Sequence, residues 1–234
     1  LGLKLLIGAE IWPTDACGIV LLATERASYG RLARLLTLGK RRASKGQCQL
    51  AFDDVAEHAE GLVACVLPDV DRWLGQMEDG LPRPSRLNSN SRTAWEGHPP
   101  FVSAPAAYRV FQGVKGLRDY RELFGDRCYA LAELHHGPDD RKKLAQRIAE
   151  ARRAGVPPVA ANDVRYHVRE RRTLEDVLTA VRAGTTVAAA GELLFANAER
   201  HLKPRDELAR LFADAPDCLR RTIEVADRCQ FSLD

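Results

Sequence analysis

Five short apolar runs, each bounded by Gly, Pro, Asp or a charged residue, govern what this chain can fold into: Leu5–Ile11, Ile19–Ala23, Leu62–Leu67, Cys128–Leu134 and Val159–Asn162. Runs of this length and flanking read as buried strands. Helical patterns lie between them. Tyr29, Leu32, Leu35 and Leu36 share a face before Gly39, and Leu144, Ile148 and Ala151 do so between Pro138 and Gly155. Strands alternating with helices predict an α/β chain with a mostly parallel sheet or barrel. Thr173 and Asp176, with Leu174, Val177, Leu178 and Val181 before Gly184, describe a further capped amphipathic helix. Two more helical patterns, around Leu208–Phe212 and Leu219–Cys229, are followed by no strand. The expected organisation is therefore an α/β part over residues 1–189 and a helical appendage over 190–234. Asp79–Pro105, rich in Pro, Ser, Asn and Gly, reads as a long surface excursion.

The 234 residues, 45% hydrophobic, can bury roughly 70% of the surface exposed by the unfolded chain, enough for a sizeable core. Lys and Arg total 35 against 32 Asp and Glu, a net charge of +3, so contact with nucleic acid has to be local. No apolar run is long enough to cross a bilayer, and Leu1–Ile7 lacks the pattern of a signal peptide. The six scattered cysteines form no C-x-x-C pair, which favours free thiols and a cytoplasmic location. The opening Leu1 in place of Met suggests that the natural N-terminus lies upstream.

Three of the strands end in a residue able to bind metal: Glu10, His135 and Asp163. In parallel α/β folds such ends converge, and carboxylate with imidazole suits zinc or manganese. A polar residue at a strand end also simply marks the chain surfacing. In Ala160-Ala161-Asn162-Asp163-Val164-Arg165-Tyr166-His167, residues 163 and 165 would face one centre if extended. An Asp-x-His there would be a compact ligand pair. Arg165 breaks it, because a guanidinium stays protonated and offers no lone pair, although it could pair with Asp163 instead. His58, His98 and His201 read as surface or cap residues, and His136 as a weaker ligand candidate than His135. Pro68-Asp69-Val70-Asp71 reads as a solvated turn.

These residues, together with Ile7-Gly8-Ala9-Glu10, Glu199-Arg200-His201-Leu202-Lys203, Glu207–Phe212 and Ala226–Cys229, resemble the polymerase-and-histidinol-phosphatase (PHP) domain of bacterial C-family DNA polymerases. Tyr29–Leu35, Arg41–Gly46, Glu133-Leu134-His135-His136-Gly137-Pro138-Asp139-Asp140 and His167 resemble the error-prone branch. The resemblance implies a PHP-type distorted (β/α) barrel lacking its first strands, with Glu10, His135 and Asp163 matching metal-ligand positions in a degenerate site. It implies Zn2+ or Mn2+ there, weakly or not at all. For the parent enzyme it implies error-prone DNA-directed DNA polymerase activity with Mg2+, associated with repair, acting on primer-template DNA and dNTPs. Other polymerase domains would be partners, and no membrane is involved. The polymerase's own catalytic residues are not expected in this chain. Arg165, Arg169, Arg171 and Arg172, and a second cluster at Lys40, Arg41, Arg42 and Lys45, are candidates for DNA or interdomain contact. The alternative is a metal-dependent PHP phosphoesterase using the same ligands.

Overall fold

A computed structural model describes residues 4–67 and 114–232. The expected excursion, the Pro68–Asp71 turn and His98 lie outside these described residues. The chain divides into two compact units, one of Leu1–Cys128 with Cys229–Asp234 and one of Tyr129–Arg228. Both are α/β, and no helix among the described residues is long and apolar enough to cross a membrane.

In the first unit, β1 (Gly8–Ile11) pairs antiparallel with β2 (Gly18–Ala23), which pairs antiparallel with β3 (Leu62–Leu67). This corrects the expectation of a mostly parallel sheet. Residues 12–17 are too few for the crossover that a parallel pair needs, usually a dozen residues or more. The β2–β3 connection is long enough for either direction, so its length could not have decided the matter. Every residue of β3 is buried, which matches its unbroken apolar sequence.

Helix α1 (Arg26–Arg42) buries Ser28, Leu32, Leu35 and Gly39, a stripe at helical spacing. Its start is set by Ser28, whose Oγ accepts the backbone N–H groups of Thr24 and Glu25, both at 3.0 Å, and donates to the Glu25 carbonyl. The sequence reading ended this helix at Gly39, but the helix runs on. Gly39 is a point of close approach rather than a stop, since a Cβ there would sit 2.5 Å from Cys48 Sγ and 2.7 Å from Leu50 Cγ. Two short helices, α2 (Phe52–Glu57) and α3 (Leu117–Phe124), were not anticipated. Asp54 organises the first of them, accepting the Ala51 N–H at 2.8 Å and an Arg42 N–H at 2.6 Å. Those two donors outweigh burial and hold its carboxyl below the usual range. His58 caps the end of α2. Buried Tyr120 on α3 donates its hydroxyl hydrogen to the Cys17 carbonyl at 2.8 Å. All six cysteines are free thiols, as the spacing suggested, and burial pushes Cys65 and Cys128 each up to about 12.

The second unit is a βαβ element extended by helices. Strands β4 (Cys128–Glu133) and β5 (Pro158–Ala161) are parallel, joined through α4 (Asp140–Arg153). α4 ends where Gly155 takes a positive φ and the Val156 N–H reaches the Ala151 carbonyl, which satisfies a carbonyl the helix end would leave open. α5 (Arg172–Arg182) ends in the same way at Gly184, with Thr185 N–H on the Ala180 carbonyl. Its start differs from the expected cap: Arg171 precedes the helix, and Thr173 Oγ1 donates to the Glu170 carbonyl. Helices α6 (Arg205–Leu211) and α7 (Pro216–Arg228) complete the unit, α7 packing along β5. Ala132, Leu134, Leu144, Phe212, Ala215 and Cys218 form its core.

Candidate functional site

Because β4 and β5 are parallel neighbours, the residues that follow them emerge at the same end. His135 follows β4 and Asp163 follows β5. The loops meet: the His135 ring Nε2 lies 3.1 Å from the Asn162 carbonyl oxygen, so Nε2 carries a proton and Nδ1 the lone pair. Burial, then the charge of Arg200, holds the imidazole below its ordinary pKa, which favours the neutral ring. Two backbone contacts fix the residue, its N–H donating to Asp140 Oδ2 at 2.9 Å and its carbonyl accepting from Asn197 Nδ2 at 2.6 Å.

His136 and Asp163 are the non-glycine residues with positive φ among the described residues, at 53° and 42°. Both stand at the ends of these two strands. The left-handed conformation costs an ordinary residue about 1–2 kcal/mol, less for Asp, and is held here by surrounding contacts. Asp163 is thus not extended, so the argument that residues 163 and 165 share a strand face does not apply. They meet all the same. Arg165 Nε lies 3.0 Å from Asp163 Oδ1, and the carboxylate's other oxygen takes Arg200 Nε at 3.0 Å. The Asp163 side chain is 9% exposed. Arg200 also stacks its guanidinium over Phe195, 3.9 Å from the ring centre.

Arg200 belongs to the 190–234 stretch expected as a helical appendage. Residues 197–203 thread back along the strand ends: Tyr166 bridges to His201, Arg165 N–H donates to the Arg200 carbonyl and Leu202 N–H to the Tyr166 carbonyl. Asn162 donates to the His201 carbonyl at 2.8 Å and accepts from Lys203 Nζ at 3.1 Å. Lys203 is buried, and burial lowers its pKa against the opposing pull of Glu199. Glu199 is buried as well, with Arg169 at 2.9 Å. His201, expected at the surface, is 5% exposed, with Nε2 3.6 Å from Glu207 Oε1. Alternating charges such as Glu199-Arg200-His201-Leu202-Lys203 look like a solvated face, and no periodicity in the sequence marks them as buried.

Glu10 belongs to the first unit, where it is exposed on β1 and accepts the Trp12 indole N–H at 2.8 Å. His167 is exposed beyond the strand-end turn. Of the four arginines proposed for external contact, three make ion pairs within their own unit. Arg165 engages Asp163, Arg169 engages Glu199 and Glu207, and Arg172 engages Asp176 and the Phe195 carbonyl. Arg171 is exposed at the start of α5.

As arranged, the Asp163 position does not fit a metal ion. Its single negative charge is matched by two guanidinium groups, which cannot ligate and would repel a cation. His135 retains a lone pair, but one imidazole without its neighbouring carboxylate is a poor cation site.

No family model matches the chain. Curated relatives match it end to end. It is 37% identical to the error-prone DNA polymerase of Rhodopirellula baltica over 235 residues, covering 100% of this chain and 18% of that protein. Error-prone DNA polymerase 1 of Agrobacterium fabrum is 36% identical over 99% of the chain and 18% of its own length. The error-prone DNA polymerase of Rhodopseudomonas palustris is 39% identical, with 99% of the chain and 21% of the relative covered. The chain thus matches, over its whole length, a segment of DNA polymerases. More narrowly, it belongs to the error-prone DNA polymerases, and it spans about a fifth of the length of the relatives it matches.

Proposed function

We propose that this chain is the PHP-domain portion of an error-prone DNA-directed DNA polymerase and that its strand-end site is structural, with arginine in place of metal. The observation that carries this is Asp163 held between Arg165 and Arg200. In the PHP resemblance that aspartate matches a metal-ligand position and residue 165 a ligand histidine. A guanidinium supplies the positive charge a metal would have brought and binds carboxylate directionally, yet it activates no water. Arg165 and Arg200 therefore tie the β5 end to the returning 197–203 segment without hydrolytic chemistry. The metal-dependent phosphoesterase alternative requires Asp163 as a ligand and is not favoured by this geometry.

The whole enzyme would transfer nucleotides from dNTPs onto primer-template DNA, with Mg2+ held in domains other than this one, in the cytoplasm and in the context of DNA repair. This segment would act as a scaffold against the other polymerase domains. The PHP-type barrel is part of the same reading, supported by the parallel β4–α4–β5 unit and the strand-end placement of His135 and Asp163.

The test compares a full-length polymerase carrying this segment with its Arg165→His variant, by metal analysis after dialysis and by thermal shift on adding zinc or manganese. Little metal tied to Asp163 in the parent and a gain in the variant is expected. Equal metal in both, lost from both on Asp163→Asn, would overturn the reading.

A further inference from the structure

The amphipathic character of α5 is opposite to that of a helix bordered by water. Leu174, Val177, Leu178 and Val181 stand at the i, i+3, i+4, i+7 spacing that makes one face, and each is between 42% and 70% exposed. The acidic residues of the helix are turned inward instead. The Glu175 and Asp176 side chains are 12% and 14% exposed, and Ala180 beside them is buried. A helix whose outer neighbour is water buries its apolar stripe and exposes its charges. Single exposed aliphatic residues are ordinary, but four on one face form a patch of the kind that marks a contact surface.

We propose that this face of α5 is an interdomain contact, covered by an apolar surface of the same polymerase polypeptide lying outside residues 1–234. The inference rests on the reading of the chain as part of an error-prone polymerase. Two observations select this occupant. The chain covers 18% of the relatives it matches end to end, so about four-fifths of such a protein is available to pack against it. The second is the size of the face: four partly exposed aliphatic side chains supply far less than the ~800 Å2 per partner that a stable association of separate chains buries. A contact within one polypeptide needs no such area, because the covalent connection removes most of the entropy cost of association. The charges agree. Arg172 and Arg182, the basic residues of the helix, lie 3.6 Å from Asp176 and 3.7 Å from Glu175, so the helix offers its own counterions in place of a nucleic acid or an anionic lipid.

The experiment places the photo-crosslinker benzoylphenylalanine at Val181 of a full-length polymerase carrying this segment, irradiates it and identifies the cross-linked peptides by mass spectrometry. Cross-links within one polypeptide to peptides outside residues 1–234 are expected. A second measurement uses Val181→Lys in the same protein, with hydrogen exchange read on peptides spanning Arg172–Arg182. Lysine has the better helix propensity, so at a solvent-facing position the substitution leaves exchange unchanged or slows it. At a covered position it opens the contact and speeds exchange by at least about tenfold. The proposal is overturned by cross-links only to a second copy or only within residues 1–234, by the absence of any cross-link, or by unchanged or slower exchange. Failure of the polymerase reading shows differently, as a full-length protein that extends no primer; failure of this proposal leaves primer extension intact.

Discussion

Removing Arg200 should hurt this protein more than removing Arg165, although both approach Asp163 at 3.0 Å. The difference lies in the surroundings. The Arg165 side chain is 34% exposed, and exposed ion pairs contribute about 0.2–1 kcal/mol because water screens the charges and long side chains lose entropy. The Arg200 side chain is 18% exposed, so its attraction for the nearly buried carboxylate is less screened. It also covers Phe195, a contact of about 0.5–1 kcal/mol. Breaking a fully buried pair costs about 3–5 kcal/mol, and this half-protected one should cost about 2 kcal/mol including the lost stacking. For a chain of this length that is a fall in Tm of roughly 4–8 °C, against about 3 °C or less for Arg165→Ala. The double variant should lose more than the sum, since Asp163 then keeps neither guanidinium. Differential scanning calorimetry of the three variants at pH 7 and low salt measures all of this. Arg165→Ala destabilising as much as Arg200→Ala, or strictly additive losses, would refute the argument.

Asp54 has a depressed pKa in the folded state, so its stabilising contribution is present above the unfolded value, near the reference of 3.8, and is lost as pH falls through the folded value. Asp54→Asn should therefore flatten the decline of stability in acid below about pH 4 and cost about 1 kcal/mol at pH 7, as read from urea melts across that range. Two glycines of α1 should respond in opposite directions to alanine. Gly30→Ala meets nothing within 4 Å and should stabilise by about 0.5–1 kcal/mol, whereas Gly39→Ala meets Cys48 and Leu50 and should lose about 1–3 kcal/mol net. Equal Tm shifts in the two variants would contradict the packing described for Gly39.

What the amino-acid order determined by itself was local. The five apolar runs coincide closely with the five strands among the described residues, and the stops at Gly155 and Gly184 are helix ends, because burial pattern and positive-φ turns are properties of a few consecutive residues. The pairing of Arg165 with Asp163 was readable for the same reason, as the two residues are near neighbours. Tertiary structure decided the rest. Gly39 looks like a helix stop unless Cys48 and Leu50 are seen pressing against it. The β2–β3 pairing is antiparallel despite a connection long enough for a crossover. Arg200, Glu199 and Lys203 read as a solvated charged stretch until the 197–203 segment is seen returning across the ends of β4 and β5, where burial makes each charge depend on a partner distant in sequence. Periodicity reports which residues are apolar. It does not report which charges are brought together out of water, and in this protein those charges define the site.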